Sequence, residues 1–458
     1  MDVISAIRTT SMGRYQWFVL ASLACLTIID GFELLLMSYV LPYFPKDFAS
    51  TTQKGWLISA GLFGMAVGAS VIGPMADRFG RRRLVIIGMI ANFLGMAISS
   101  VAPHYTWLMA GRFFTGLAVG TIAVCVVVLI QEFSSFRQRN LAMGINASGL
   151  PLGGMIAGFA SVAAINAFDS WRYIFAIGAV LSFLILILAI AVVPESLEYL
   201  FARDTQDSRE QIAKTIARLG KTEIDPDALP AISTPTGDGN RSEGVRGILS
   251  GSLRQRTFLI WLTYSLLVAG FYFVVNWTPQ LVANSTGDPA RGAWAGTVMS
   301  LSGVVAALVF AVIGMLVPAP RIAWIAVLLC SVSMLGLGVA SGVEWLTLAM
   351  TVTVGLTAYL AISANNAMIP AMYPSKVRAT GYGWALGVSR TSAILFPALV
   401  GWALTYVDSS VFYNLASLLL FISALVTYLL WRMTKPELEA EKHGKILLED
   451  VSTDSTSV

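Results

Sequence analysis

Polar positions are sparse along this chain, and the apolar ones run on without the two-residue alternation of a half-buried strand. Twelve apolar stretches of about 20 residues recur, near 17–42, 55–76, 84–102, 106–130, 140–165, 171–193, 257–283, 293–317, 321–341, 345–370, 379–406 and 410–432. Each is long enough to cross a bilayer as an α-helix. The missing alternation argues against a membrane β-barrel. The pattern predicts an all-α membrane protein of twelve transmembrane helices.

One long polar stretch, Glu198 to Arg256, interrupts the spans and divides them six and six. It carries Pro226, Pro230 and Pro235 with scattered Gly and Ser, and one short helix is predicted near Arg209–Leu219. The expected domains are a six-helix bundle over 1–197, a cytoplasmic linker over 198–256, a second six-helix bundle over 257–435, and a tail over 436–458. The tail is charged and expected to be disordered. A shift of 241 residues brings Gly73 onto Gly314, Glu132 onto Tyr373 and Arg137 onto Arg378, all in loops that follow corresponding spans. Matching loops at one offset are what a duplicated six-helix unit leaves behind.

Composition agrees with the pattern. Hydrophobic residues make up 56% of the chain and charged residues 12%, against about 25% charged in a soluble protein. The mean hydropathy is +0.73. The net charge of +4 reflects topology rather than an anionic partner, and no nucleic-acid binding is expected. With both termini placed in the cytoplasm, 24 of the 30 Lys and Arg fall on that side, as the positive-inside bias requires. Only Lys46, Lys54, Arg172 and Arg291 fall outside, and Arg112 and Arg390 fall within spans. Met1 to Arg14 is polar and does not resemble a cleavable signal. Cys25, Cys125 and Cys330 all lie in apolar runs and read as small buried hydrophobes, with no disulfide, metal site or cofactor expected.

The charges deep in the spans are the chemistry. Asp30-Gly31-Phe32-Glu33 sets two carboxylates three apart on neighbouring positions of one helix. An acid at mid-bilayer costs roughly 2.5–3.5 kcal/mol on insertion scales, so it needs a function or a partner. Two acids crowded in a dry site cannot both ionise freely, which suits proton handling. Arg112 and Arg390 are the balancing cations; His104 and His443 lie outside the spans. The planar fork of an arginine suits a carboxylate, and Arg390 is the expected anchor for a substrate carboxylate. Arg112 is expected to couple to Asp30 or Glu33 or to contact substrate. Gly116 and Gly120 follow it at four and eight positions, so a purely structural role on a helix-packing stripe stays open. Asn276 and Trp277 (with Phe271 and Tyr272) and Tyr359 and Asn365 (with Asn366) form an expected binding wall of rings and amides. Trp277, next to Pro279, could equally anchor a membrane interface. With no histidine, no paired metal ligands and no nucleophile–base set in the spans, an enzyme is not expected. Nor is a sensor, for want of a sizeable soluble domain.

Gly73-Pro-Met-Ala-Asp77-Arg78-Phe-Gly80-Arg81-Arg82-Arg83 closely resembles the loop signature of the major facilitator superfamily. Arg112-Phe-Phe-Thr-Gly116, Glu132 with Arg139, and Pro194-Glu195-Ser196 extend that resemblance over essentially the whole chain. Within the superfamily, Asp30-Gly31-Phe32-Glu33 followed by Pro42 is similar to the first-span signature of the aromatic acid:proton symporters, which usually have Asp where this chain has Glu33. Gly387-Val-Ser-Arg390, and Tyr373-Pro374 with Arg378, are similar to that family too. The second-half loop departs from the pattern, reading Gly314-Met-Leu-Val-Pro318-Ala-Pro320-Arg321 with no acid.

The resemblance implies two pseudo-symmetric bundles around a midplane cavity lined by spans 1, 4, 7 and 10 and flanked by span 11. It implies a gating loop built on Gly73, Asp77, Arg78, Gly80, Arg81, Glu132 and Arg139. The function expected is proton-coupled import of a small aromatic carboxylate through Asp30 and Glu33, by a monomer in a bacterial-type inner membrane. Alternatives are a proton symporter for another organic anion or a sugar, and an efflux antiporter. The last rests on Gly149-Leu-Pro151-Leu-Gly153-Gly154, which also suits close helix packing.

Overall fold

Glycine sets how closely the helices of the first half approach. In the computed structural model, which describes residues 12–45, 47–135, 138–203, 205–219, 244–251, 253–340, 343–374 and 377–454, twelve helices are long and apolar enough to cross a membrane. They are α1 (Arg14–Val40), α2 (Thr51–Val67), α3 (Arg81–Ser100), α4 (Tyr105–Phe133), α5 (Arg139–Phe168) and α6 (Arg172–Val192), then α7 (Leu253–Thr286), α8 (Pro289–Leu316), α9 (Ala319–Val339), α10 (Glu344–Ala371), α11 (Arg378–Ala403) and α12 (Ser409–Asp454). Ser50 opens α2 with a capping box: its hydroxyl accepts from the Gln53 N–H, and the Gln53 side chain accepts from the Ser50 N–H at 2.8 Å. Past Val67 that helix loosens into a π turn at Gly68–Ile72 and a tight turn at Gly73–Met75, which carries it into the basic loop.

A Cβ on Gly116 of α4 would lie 2.0 Å from the Gly61 carbonyl of α2, and one on Gly120 would lie 2.0 Å from that of Met65. The backbones touch there, so the stripe beside Arg112 is indeed a packing surface. Gly116→Ala is therefore expected to force α2 and α4 apart and cost about 1–3 kcal/mol. Thermal unfolding of the detergent-solubilised protein would show this as a lowered midpoint; an unchanged midpoint would contradict the packing.

The α1–α5 seam works the same way. A Cβ on Gly31 would meet the Leu150 carbonyl at 2.1 Å, and one on Gly153 the Ile28 carbonyl at 2.0 Å. The glycine-proline pattern of α5 is thus used for close packing. The same contact fixes the rotation of α1: with Gly31 against α5, Glu33 turns toward α4.

Helix also occupies the linker and the end of the chain. The short linker helix occupies Gln206–Arg218 and buries Ile212 and Ile216 in one cluster with Leu197, Leu200 and residues of α1 and α4 at the basic-loop end. Its apolar residues, four apart, explain the docking. The last helix runs past Lys435 to Asp454; the Glu, Leu, Ala and Lys residues of this stretch are good helix formers. Pro226, Pro230, Pro235, Lys46 and Arg137 lie outside the described residues.

The bundles meet in the half of the molecule away from the basic loop. Ser38 donates to Asn276 Oδ1 at 3.2 Å, Tyr39 and Ser300 share a hydrogen bond of 3.1 Å, and Lys54 Nζ donates to Gln280 Oε1 at 3.0 Å. Gly55 and Gly401 let α2 and α11 cross closely over the Trp277 ring. Toward the basic loop, no hydrogen bond between the bundles is described, and a cavity lies there instead.

Candidate transport site

That cavity has a volume of about 320 Å³ and is lined from both bundles. Each helix contributes a stripe at three- and four-residue spacing: Tyr264, Val268, Phe271 and Tyr272 on α7; Tyr359, Ile362, Ser363 and Asn366 on α10; Leu386, Ser389, Arg390 and Ala393 on α11. Thr27 of α1 and Leu150 and Pro151 of α5 close the other side.

Arg390 stands on this wall, and among the described residues its guanidinium makes no hydrogen bond or ion pair. Its charge acts instead on Asp30 of α1 and on Tyr264, Tyr272 and Tyr382. Asp30 is equally unmatched: its Oδ1 is buried with no hydrogen-bond partner, and Arg390 and Glu33 are the charged groups in electrostatic reach. A cation and an acid from opposite bundles thus face one another's field without closing an ion pair.

Glu33 is placed differently from its neighbour. Its carboxylate is 2% exposed and forms an ion pair with Arg112 Nη1, while Arg112 Nη2 donates to the Glu33 carbonyl at 3.1 Å. The two acids are not alike: Glu33 acts on Asp30 but is itself paired with Arg112, whereas Asp30 has no such partner. Arg112 is correspondingly absent from the cavity wall; it is packed beside Gly61 and Gly116.

The expected binding wall is also redrawn. Tyr359 lines the cavity, but Asn276, Trp277 and Asn365 do not. Asn276 is fully buried between Ser38 and the Tyr272 carbonyl, to which it donates at 2.8 Å. Trp277 is fully buried against the crossing of α2 and α11. Asn365 is fully buried and donates back to the Ala361 carbonyl at 2.9 Å. Asn365 sits one position away from Asn366 of the cavity stripe, whereas Asn276 stands four residues past Tyr272 on the same helix face, beyond the cavity where the bundles meet. Phe271, Tyr272 and Asn366 line the cavity too, joined by Tyr264, Ser363 and Ser389; counting in fours from Tyr272 and Tyr359 would have found Tyr264 and Ser363.

The basic loop forms a separate polar cluster. Arg81 pairs with Glu132 of α4 and with Asp77, the latter at 3.2 Å, and donates to Ser196 Oγ at 2.8 Å. Glu132 also accepts from the Leu197 N–H at 3.1 Å, and Glu195 from the Arg82 N–H at 3.0 Å. Gly80 takes φ 96° and leaves no room for a Cβ beside Glu195, so the turn needs glycine on both counts. Gly73 abuts Val124 of α4, Arg78 lies over the Phe79 ring, and Arg139 donates to the Gln131 carbonyl. The loop residues singled out by the sequence thus tie the ends of α2, α3, α4 and α6 together, with Glu195 and Ser196 as further members.

Among the described residues, no group of three or more His, Cys, Asp and Glu could hold a metal ion. Twelve spans, a signature loop tying one bundle's end and an unoccupied charge across a central cavity are the parts of a carrier. The model of the Major Facilitator Superfamily matches residues 23–342 and 260–453, and the chain belongs to that superfamily. It is an integral membrane transporter and not an enzyme.

More particularly, it is 30% identical over 405 residues to a gallate transporter of Pseudomonas putida, covering 88% of each chain. It is 28% identical over 398 residues to the 4-hydroxybenzoate transporter PcaK of the same organism, covering 86% of this chain and 88% of that one. To the niacin transporter NiaP of Acinetobacter baylyi it is 27% identical over 443 residues, covering 94% and 97%. In fold it is similar to the xylose transporter XylE from E. coli in a partially occluded inward open conformation, with a TM-score of 0.71 at 15% identity over 91% of this chain and 98% of that one.

Proposed function

We propose that the protein imports a small aromatic carboxylate, benzoate- or hydroxybenzoate-like, together with protons. It works as a monomer by alternating access in a bacterial-type inner membrane. The observation that carries this reading is the unpaired Arg390 on a cavity wall that is otherwise uncharged and rich in aromatic and apolar side chains, with the unpaired acid Asp30 in its field. The named relatives transport gallate, 4-hydroxybenzoate and niacin, which supports the aromatic class. The basic-residue bias favours cytoplasmic termini, and in that orientation the cavity faces the cytoplasm.

The coupling follows from competition for one cation. An ionised Asp30 attracts Arg390 and competes with a substrate carboxylate; a protonated Asp30 leaves the guanidinium to the substrate. Proton and anion therefore favour each other's binding, and their departure together resets the carrier. Glu33, held by Arg112, supports α1 against α4 and tunes the field on Asp30. The Arg81–Glu132 cluster keeps the first bundle's cytoplasmic end rigid while the bundles rock, and the acid-free second-half loop leaves this gating role to the first. A sugar would give the free guanidinium no countercharge, so an anion is preferred.

Arg390→Lys keeps the charge but loses the bidentate fork. It is expected to weaken binding of labelled 4-hydroxybenzoate by roughly ten-fold or more, the scale of a charged hydrogen bond, with 4-hydroxybenzamide much less affected. Equal loss for the acid and the amide would sink the anchor role.

A further inference from the structure

The two adjacent asparagines of α10 have opposite fates. Asn365 is spent inside its own helix, whereas Asn366 stands half-buried on the cavity wall, and its Oδ1 accepts a hydrogen bond from Tyr264 Oη at 2.6 Å. Tyr264 is itself 4% exposed and packed in the core of the second bundle, so the amide is held from behind by a fixed donor. An amide has one acceptor end and one donor end. With the acceptor engaged by Tyr264, the Nδ2 group is left for the cavity, and among the described residues it has no partner. By helix rise, Asn366 lies about 10 Å nearer the basic-loop end than Arg390. That separation suits a ring with its carboxylate at one end and a polar substituent at the other.

We propose that Asn366, oriented by Tyr264, is the residue that selects substrates by their ring substituent. It donates Nδ2–H to an acceptor placed opposite the carboxylate, such as a phenolic oxygen or a ring nitrogen. The inference rests on the reading of Arg390 as the carboxylate anchor and adds the other end of the ligand. Ile362, Leu386 and Val268 line the same cavity without a polar side chain; of the hydroxyls there, Ser389 already donates to the Leu386 carbonyl at 2.9 Å, and Ser363 precedes Asn366 by three residues on the same helix. A bare ring would leave the amide hydrogens without a partner, at a penalty to binding.

The test is competition in proteoliposomes, with benzoate and 4-hydroxybenzoate each displacing labelled 4-hydroxybenzoate. Wild type is expected to prefer 4-hydroxybenzoate over benzoate. Asn366→Leu is expected to narrow that ratio by roughly three- to ten-fold, the worth of one neutral hydrogen bond. Tyr264→Phe, which frees the amide to turn, should narrow it less. Because each ratio is taken within one variant, it does not depend on how much protein folds. A ratio unchanged in Asn366→Leu, or no preference in wild type, would overturn the assignment while leaving carboxylate transport intact. If neither acid competes in wild type, the aromatic-carboxylate reading falls first and this one with it.

Discussion

Arg112→Ala is expected to lose about 3–5 kcal/mol of stability, the scale for removing one partner of a buried ion pair. Glu33, 2% exposed beside a void of about 10 Å³ while Arg112 is in place, would then be left without its countercharge. The paired variant Glu33→Leu/Arg112→Leu removes both charges and should recover most of the loss, because an apolar pair needs no compensation. Chemical unfolding of the purified protein in detergent reads both. If Arg112→Ala unfolds like wild type, the pair is not what holds α1 to α4.

Asp30→Asn is expected to have the largest effect on transport. A gradient of one pH unit supplies about 1.4 kcal/mol per coupled proton, worth up to about tenfold in accumulation. In the variant, initial uptake of labelled 4-hydroxybenzoate above the level of protein-free liposomes should no longer respond to an inward proton gradient. The side chain keeps its size and loses only its proton chemistry. A variant that still responds as wild type does would move the coupling role to another group. Glu33 would be the first to consider, although Arg112 already holds it.

Much of this was legible from residues alone, for reasons that differ by element. The spans follow from length and apolarity, and these are dictated by the bilayer rather than by tertiary packing. The basic loop was legible because its glycines and charges satisfy local turn geometry, and Gly80 at φ 96° is where that requirement is absolute. The four buried charges were visible because an intramembrane charge is expensive whatever surrounds it.

Their pairing was not visible. Residues 30 and 33 share a helix face, and only the Gly31–Leu150 contact, which sets the rotation of α1, sends Glu33 to Arg112 and leaves Asp30 in reach of Arg390. The binding wall was legible only in part for the same reason. Asn365 and Asn366 are chemically identical, and one step of 100° around α10 decides which is core and which is cavity. Asn276 stands one turn past Tyr272 on the same side of α7, but where Ser38 of α1 meets it, and Trp277 is turned to the crossing of α2 and α11. Residue type separates none of these.

Proton movement on addition of substrate tests the central claim most directly. Wild-type protein in lightly buffered proteoliposomes, with no imposed gradient, should take up protons when 4-hydroxybenzoate is added outside. The external pH should rise faster than in protein-free liposomes, and Asp30→Asn should abolish the excess. No excess change in wild type would contradict proton symport, and acidification of the medium would point to exchange in the opposite sense.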